Sequence, residues 1–428
     1  MTDGGRRHSF FALALASLLI AIPSPAAETR TNNFRVSIGS AGEQGNGISF
    51  LRAITAGGRF ALFVSSSTNL VAGDSNAAAD VFVRDRVAGT TVRASVTSSG
   101  VQLDRGVGNT SSGLSADGMR VAFESQATNW GPNDGDADID VFVHDLGSSA
   151  TTLVSVAPDG SPGARISPES GRRFPADSNW PDLSADGRFV AFLSEATNLL
   201  SSDPAHQLFA GGQVYLRDLT TGQTMLASVS QSGEPASCRC IPTVQGPPSL
   251  SADGRFVAFQ SNAVNLVPGD TNGTTDVFVW DRLTGATERV SVSSNGAQGD
   301  REEIILQPAI SPDGRFVAFT SNATTLVEGD TNGLGDVFVR DRATSRTERV
   351  SLTNRGRETR LHAGYGSSFA PAVSADGRIV SFTSTANDLV ANDSWPLCCD
   401  VFVRDRANAT TERITIPTGG GTPVRGSR

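Results

Sequence analysis

Lysine is missing altogether: all 35 basic side chains among the 428 residues are arginines, and 44 Asp and Glu outnumber them to a formal charge of −9. An acidic chain without a single ammonium side chain is poorly equipped to grip nucleic-acid phosphates or an anionic membrane surface, so neither is expected as a partner. Only four cysteines and four histidines are present, which gives weak support to a zinc or lyase-type metal centre. No G-x-S-x-G elbow, H-E-x-x-H pair or phosphate-cradling glycine loop occurs. Hydrolase, metalloprotease and nucleotide-binding readings therefore have no motif behind them.

Long apolar runs are also lacking, with one exception. Arg6 and Arg7 precede an apolar stretch at residues 10–22, and Pro23, Ser24, Pro25, Ala26 and Ala27 follow with small residues suited to cleavage. This is the layout of a secretory signal peptide, residues 1–27, and the stretch is too short to span a bilayer stably. The mature chain is expected in the periplasm or the medium. No cysteine lies near the cleavage site to accept a lipid.

Glycine, by contrast, is abundant at 45 residues, and Val, Phe, Thr and Ser fill short apolar runs, a composition that suits brief strands joined by tight turns. The segment LSADGRFVAF recurs with small changes at residues 114–123, 183–192, 250–259, 310–319 and 373–382, and a weaker copy, ITAGGRFALF, lies at 54–63. Its turn glycine falls at Gly58, Gly118, Gly187, Gly254, Gly314 and Gly377, which marks six units spaced by 60 to 69 residues. Each unit parses into four strands. The first ends at the Asp-Gly turn, the second is FVAFxS, the third is DVFVRD and the fourth is TERVSV, as at 287–292. Asp-Gly favours a tight hairpin because glycine accepts positive φ at no steric cost.

Alternation in the third strand puts Phe278 on one face and Val277 and Val279 on the other, so both faces are apolar and both must be covered. Sheets stacked radially in a ring provide that cover and protect the edges. The predicted fold is all-β: a six-bladed β-propeller of four-stranded antiparallel blades over residues 33–416, with a disordered tail at 417–428. Residues 33–38, NFRVSI, read as an extra copy of the fourth strand, and residues 411–416, TERITI, as the fourth strand of the last unit. Both aim at the outer edge of blade six, where the termini are expected to meet.

The pairing of SADGRFVAF with DVFVRDRxTGxTERVS resembles the repeat of the TolB-like, WD-repeat-like propeller family, whose motif reads approximately SPDGxxIAFxS and then IYVMDxxTG. Ser311, Pro312, Asp313 and Gly314 match its turn most directly. The resemblance covers residues 33–416 and recurs six times. It implies the propeller fold; for function it implies less, because such propellers serve as partner-binding modules, as substrate filters on peptidases and as lyases. The type member carries a small α/β domain before its propeller and the peptidases carry a hydrolase domain. Neither extra domain is expected within these 428 residues.

Candidate site residues come from the loop between the second and third strands. Aligned on the Phe of FVAF, it places an aspartate at one position in all six units: Asp74, Asp134, Asp203, Asp270, Asp330 and Asp393. Four units extend this to Asp-x-Asn/Asp-x-x-x-Asp: Asp74, Asn76 and Asp80; Asp134, Asp136 and Asp140; Asp270, Asn272 and Asp276; Asp330, Asn332 and Asp336. Three oxygen-bearing side chains at this spacing suit Ca2+, which prefers hard oxygen ligands. They equally suit side-chain turns that hold a loop without any ion. Both readings stand on sequence.

Other polar positions read more simply. The aspartate closing the third strand, at Asp85, Asp145, Asp218, Asp281, Asp341 and Asp405, is expected to bond nearby backbone or arginine groups. Cys238, Cys240, Cys398 and Cys399 form two close pairs, and in an exported protein disulfides are the default, with three connectivities open. His144 stands where Arg84 and Arg340 stand in other units and reads as a surface substitution; His206 and His362 fall in rim loops.

Two functions follow. The first is a monomeric, non-catalytic binding or scaffold module that presents its loop rim to a protein, peptide or glycan, with calcium as a stabiliser. The alternative is a secreted polysaccharide lyase or hydrolase acting over the central channel, drawing on the irregular loops at 157–181 and 230–248 with Trp180 nearby.

Overall fold

The computed structural model describes residues 34–108, 112–131, 138–167, 169–200, 212–237, 246–301, 307–360, 366–391 and 399–415. The signal segment and the C-terminal tail lie outside them. Within them the chain forms six consecutive four-stranded antiparallel sheets, each in simple sequence order, the blades of a six-bladed β-propeller. In blade one the strands are Ser49–Ile54, Phe60–Ser65, Asp80–Asp85 and Thr90–Arg93. The second and third strands keep one register throughout, as in blade four, where Phe256 faces Asp281, Phe259 faces Phe278 and Ser261 faces Asp276.

The Asp-Gly turns explain the hairpins. All six turn glycines take φ between +66° and +74°, and in blade two the Gly118 N–H closes on Ser115 O at 2.9 Å. Four of these glycines also make room for a neighbour. A Cβ on Gly118, Gly254, Gly314 or Gly377 would come within 2.1 to 2.5 Å of the ring of Phe60, Phe189, Phe256 or Phe316 in the preceding blade.

Apolar residues on both faces build the seams. Each blade stacks an aromatic pair, such as Phe259 on Phe278 at 5.8 Å between centroids. That face meets the aliphatic face of the blade before it: Val81 and Val83 cluster with Phe123 and Phe142, and Val337 and Val339 with Phe382 and Phe402. Burying such side chains on both sides of every sheet is the main stabilising term, at about 1.5–3 kcal/mol per large apolar group.

The fourth strand is shorter than the sequence suggests, ending at Arg289 in blade four. Ser291 takes over the pairing: its hydroxyl accepts from Val277 N at 2.9 Å and donates to Asp276 Oδ1 at 2.5 Å. The chain then enters a linker hairpin that sequence reading missed. Among the described residues six such hairpins occur, marked by the bridges Ile38–Gln44, Val96–Gln102, Val156–Pro162, Val229–Pro235, Val292–Gln298 and Leu352–Glu358. Most clamp onto the fourth strand of the blade that follows, as where Thr151 Oγ1 donates to Val96 O at 2.5 Å.

This corrects the expectation for the N-terminal segment. The fourth strand of blade six is the C-terminal Thr410–Arg413, and no fifth strand joins that sheet among the described residues. Residues 34–44 instead form the linker hairpin of blade one, where Thr91 Oγ1 donates to Ile38 O at 2.6 Å. The segment resembles a fourth strand because every fourth strand runs into this hairpin, and only the hairpin half is used.

Candidate functional site: the acidic loops and the channel wall

The loop aspartates and asparagines converge as their spacing suggests, and an arginine stands at their centre. In blade four Arg289 Nη1 lies 3.0 Å from both Asp270 Oδ1 and Asp276 Oδ2. Asn272 Nδ2 donates to Asp276 Oδ2 at 3.2 Å and to Gly299 O at 3.3 Å, while its Oδ1 accepts from Thr274 N at 3.3 Å. Blade five repeats the pattern: Arg349 Nη1 meets Asp330 at 3.0 Å, Asp336 at 3.2 Å and Glu358 at 3.1 Å. In blade one the contacts are looser. Arg93 lies 3.6–3.8 Å from Asp80 and Asp74, and Gln102 Nε2 bridges the same two carboxylates at 2.9 and 3.0 Å. Asn76 there donates to Leu103 O at 3.0 Å.

The carboxylates lie in the low-dielectric gap between strand and linker, and burial dominates their protonation. Asp330 is pushed up to about 6 by desolvation and by Asp336 and Glu358, with Arg349 opposing. Desolvation also raises Asp80, Asp270 and Asp336. These are groups short of positive charge even with an arginine present. Among the described residues no group of three or more His, Cys, Asp or Glu is arranged to hold a metal ion. Asp134, Asp136, Asp203 and Asp393 lie outside the described residues. Asp140 is described and buried, and Ser155 Oγ donates to it at 2.6 Å.

The strand-closing aspartates behave as expected. Each pairs with the arginine of its own Asp-Gly-Arg or Gly-Gly-Arg turn, except in blade two, where Arg120 follows Met119: Asp85 with Arg59, Asp145 with Arg120, Asp218 with Arg188, Asp281 with Arg255, Asp341 with Arg315 and Asp405 with Arg378, at 2.6–3.0 Å. The arginine bonds first, and then N–H bonds that the same carboxylates accept from the turn to the fourth strand, hold Asp85, Asp281 and Asp405 down at about 2. His144 corrects the surface reading. It is buried, its Nδ1 lies 2.8 Å from Thr151 Oγ1, and desolvation lowers its pKa. Arg84 and Arg404 are buried at the same position, bonded to linker carbonyls and to the matching threonine. The position faces the linker hairpin, and the imidazole keeps the threonine contact that the guanidiniums make.

The channel wall carries side chains that sequence reading did not single out. The first strands are the inner ones: Leu250 N of blade four donates to Asp182 Oδ2 of blade three at 2.8 Å. With a second bond from Leu183 N opposing it, desolvation still pushes Asp182 up to about 6. Glu124 reaches from blade two to accept from Trp180 N at 2.8 Å, and Gly108 leaves it the space. Arg52 of blade one is desolvated and feels the Glu124 charge. Trp180 and Ala370 on first strands, and Gln307 at the equivalent position just before the first strand of blade five, have φ of +56°, +51° and +32°, a backbone region costly for non-glycine residues. Pro181, Pro308 and Pro371 follow them, which was the available signal for a bulge. His206, His362, Cys238, Cys240 and Cys398 lie outside the described residues.

No protein-family model and no curated protein matches the chain by sequence. Solved structures similar to it include TolB from Acinetobacter baumannii, at 12% identity and TM-score 0.41 over 80% of this chain and 60% of that one. An oligogalacturonate lyase in complex with manganese aligns at 14% identity and TM-score 0.47 over 85% of this chain and 75% of that one. The propeller domain of the Trilobed protease from Pyrococcus furiosus, described as having an open velcro topology, aligns at 10% and 0.45 over 88% and 85%. The chain thus spans three fifths of the Acinetobacter protein's length.

Proposed function

We propose that this TolB-like propeller is an exported, non-catalytic binding or scaffold module whose partners are proteins or glycans. One observation carries the reading: among the described residues, the recurrent acidic side chains that could do chemistry are engaged in holding blades and linkers together. The loop aspartates of blades one, four and five surround arginines, and the channel-wall carboxylates Glu124 and Asp182 each accept a backbone amide from the next blade. A general acid or nucleophile needs a carboxyl group within reach of substrate. The test pairs capture with turnover. Immobilised mature protein is expected to retain a partner from the native extracellular fraction and to release no new chain ends from acidic polysaccharides. Turnover that disappears in Glu124→Gln or Asp182→Asn would replace this reading with the lyase or hydrolase one.

Calcium belongs, on this reading, to one unit. In unit two Leu153 stands where Arg93, Arg289 and Arg349 stand elsewhere, and the loop at 134–140 reads DGDADID, with four aspartates. Where the fourth strand brings no guanidinium, a divalent ion can supply the charge. Chelator is expected to lower the melting temperature of the parent and to leave Asp134→Asn/Asp136→Asn unmoved. Melting that ignores chelator in the parent would remove calcium from the account.

A further inference from the structure

A residue the repeat requires recurs at its position in unit after unit, and one that appears in a single unit answers to something else. The six linker hairpins share one geometry. A glycine at φ between +68° and +89° closes each, its N–H bonded to the carbonyl three residues back. The residues flanking that glycine are Ala41 and Glu43, Ser99 and Val101, Asp159 and Ser161, Ser232 and Glu234, and Asn295 and Ala297; before blade six they are Arg355 and Arg357. The position opposite the aspartate that closes the third strand is Thr90, Ala150, Gln223, Ala286 and Thr410 in five units and Arg346 in blade five. All three arginines are exposed.

Arg346 lines one groove, and so does Gly356, the glycine between Arg355 and Arg357. A cavity of about 400 Å3 lies between the outer strand of blade five and blade six, and its walls include Arg346, Glu348, Leu352, Gly356, Arg404 and Arg406. Glu348 is shared by Arg346 at 3.0 Å and Arg406 at 2.5 Å, so one carboxylate serves two guanidiniums. The wall carries Glu328 and Glu348 against Arg346, Arg349, Arg404 and Arg406, and with Arg355 and Arg357 on either side of Gly356 positive charge is in excess here on a chain that is acidic overall.

We propose that this outer groove binds an anionic polysaccharide through its sulfate or carboxylate groups. Guanidinium forks match both groups bidentately. Strand addition by a peptide meets an obstacle: Ser294 of the preceding hairpin already covers the outer edge of blade five, its hydroxyl accepting from Thr347 N at 3.0 Å and donating to Thr347 O at 3.3 Å. A stiff chain that carries charge at intervals needs no main-chain bonds and no side-chain pocket. The site is separate from the channel, and it rests on the binding-module reading only in that the ligand is held and not cleaved.

The experiment uses the full mature chain with three probes, dextran sulfate, alginate and poly-glutamate, and neutral dextran as a blank. Dextran sulfate, alginate or both are expected to bind at low salt and release as salt rises; which of the two binds separates sulfate from carboxylate recognition. Arg346→Gln/Arg355→Gln/Arg357→Gln is expected to weaken binding about tenfold and to lower its salt dependence. Arg105→Gln/Arg165→Gln/Arg172→Gln removes equal charge elsewhere and is expected to bind as the parent does. Equal loss in both triple variants, or no binding of either polysaccharide by the parent, overturns the site. Poly-glutamate binding as tightly as the polysaccharides overturns the ligand class. The single variant Arg346→Gln, read in the same assay, covers the event that the triple variant fails to fold. Release of new chain ends from the bound polysaccharide would count against the binding-module reading and leave the groove assignment standing.

Discussion

Arg289 and Arg349 hold two and three carboxylates with only 9% and 8% of their own side chains exposed. Such a cluster is a poor net stabiliser but an expensive one to break, because removing the cation leaves buried anions uncompensated. Arg289→Leu is expected to cost about 3–5 kcal/mol, read from urea midpoints, and Asp270→Asn/Asp276→Asn added to it should recover part of the loss. An Arg289→Leu variant as stable as the parent would mean the carboxylates had found another cation, and calcium titration would identify it. Asp182 makes a separate case. Its folded pKa, pushed up to about 6, lies above the unfolded value near 3.9. The fold therefore binds the extra proton between those values, and stability falls as pH rises from about 4 through about 6. Asp182→Asn keeps an oxygen acceptor for Leu250 N and removes the charge. Its melting temperature should decline less than the parent's between pH 4 and 7, with a gap worth at most about 3 kcal/mol; parallel curves would refute the assignment. The turn-paired aspartates run the other way. Asp85, Asp281 and Asp405, held at about 2, lend stability above about pH 4 and lose it as pH falls through 2.

At the scale of the element, glycine conformation and glycine packing can be separated because the repeat presents both. Gly58 and Gly254 share φ of +66° and +67°. A Cβ on Gly58 would meet only Arg86 at 3.1 Å and Ile54 at 3.9 Å, whereas one on Gly254 would lie 2.2 Å from Phe189. Gly58→Ala should cost about 1 kcal/mol for backbone strain alone, and Gly254→Ala about 3 kcal/mol or more as the blade seam is forced apart. Equal losses on denaturant unfolding would mean the seam relaxes freely. The same contrast shows what was legible beforehand. The Asp-Gly turn, the FVAFxS and DVFVRD strands and their two-sided burial are local patterns of six residues, and the structure reproduces them to the residue. The acidic loop was legible as a convergence of oxygens, but its arginine was not: Arg289 enters from the fourth strand, 13 residues past Asp276, and only sheet register brings the two together. The available signal was that Arg93, Arg289 and Arg349 accompany the Asp-x-Asn-x-x-x-Asp pattern while Leu153 accompanies DGDADID. The linker hairpins escaped notice because a Ser-rich segment with one glycine reads as any loop.

For the whole molecule the question is how the ring holds at its ends. Five seams share mixed clusters in which an aromatic face meets an aliphatic one. At the sixth, Phe63 and Phe82 of blade one cluster with Leu70 and Val71 of their own blade. Val401 and Val403 of blade six are half-buried, where their counterparts Val81, Val83, Val277, Val279, Val337 and Val339 are buried. Arg282, Arg342 and Arg406 stack on a phenylalanine of the preceding blade; the matching Arg86 stacks on Phe34 from its own N-terminal segment. Each blade is also a continuous stretch of chain, so no strand of one terminal blade is latched into the other. A seam with less shared apolar surface opens at lower free energy than one with more. Amides of Ser49–Ile54 and Asp400–Asp405 should therefore exchange hydrogen by local opening well before those of Ser178–Leu183 and Asp276–Asp281, while the interior blades approach the global limit. Uniform protection across all six blades would mean that the terminal seam is as tight as the rest, and that closure draws on contacts from the segments flanking the first and last strands.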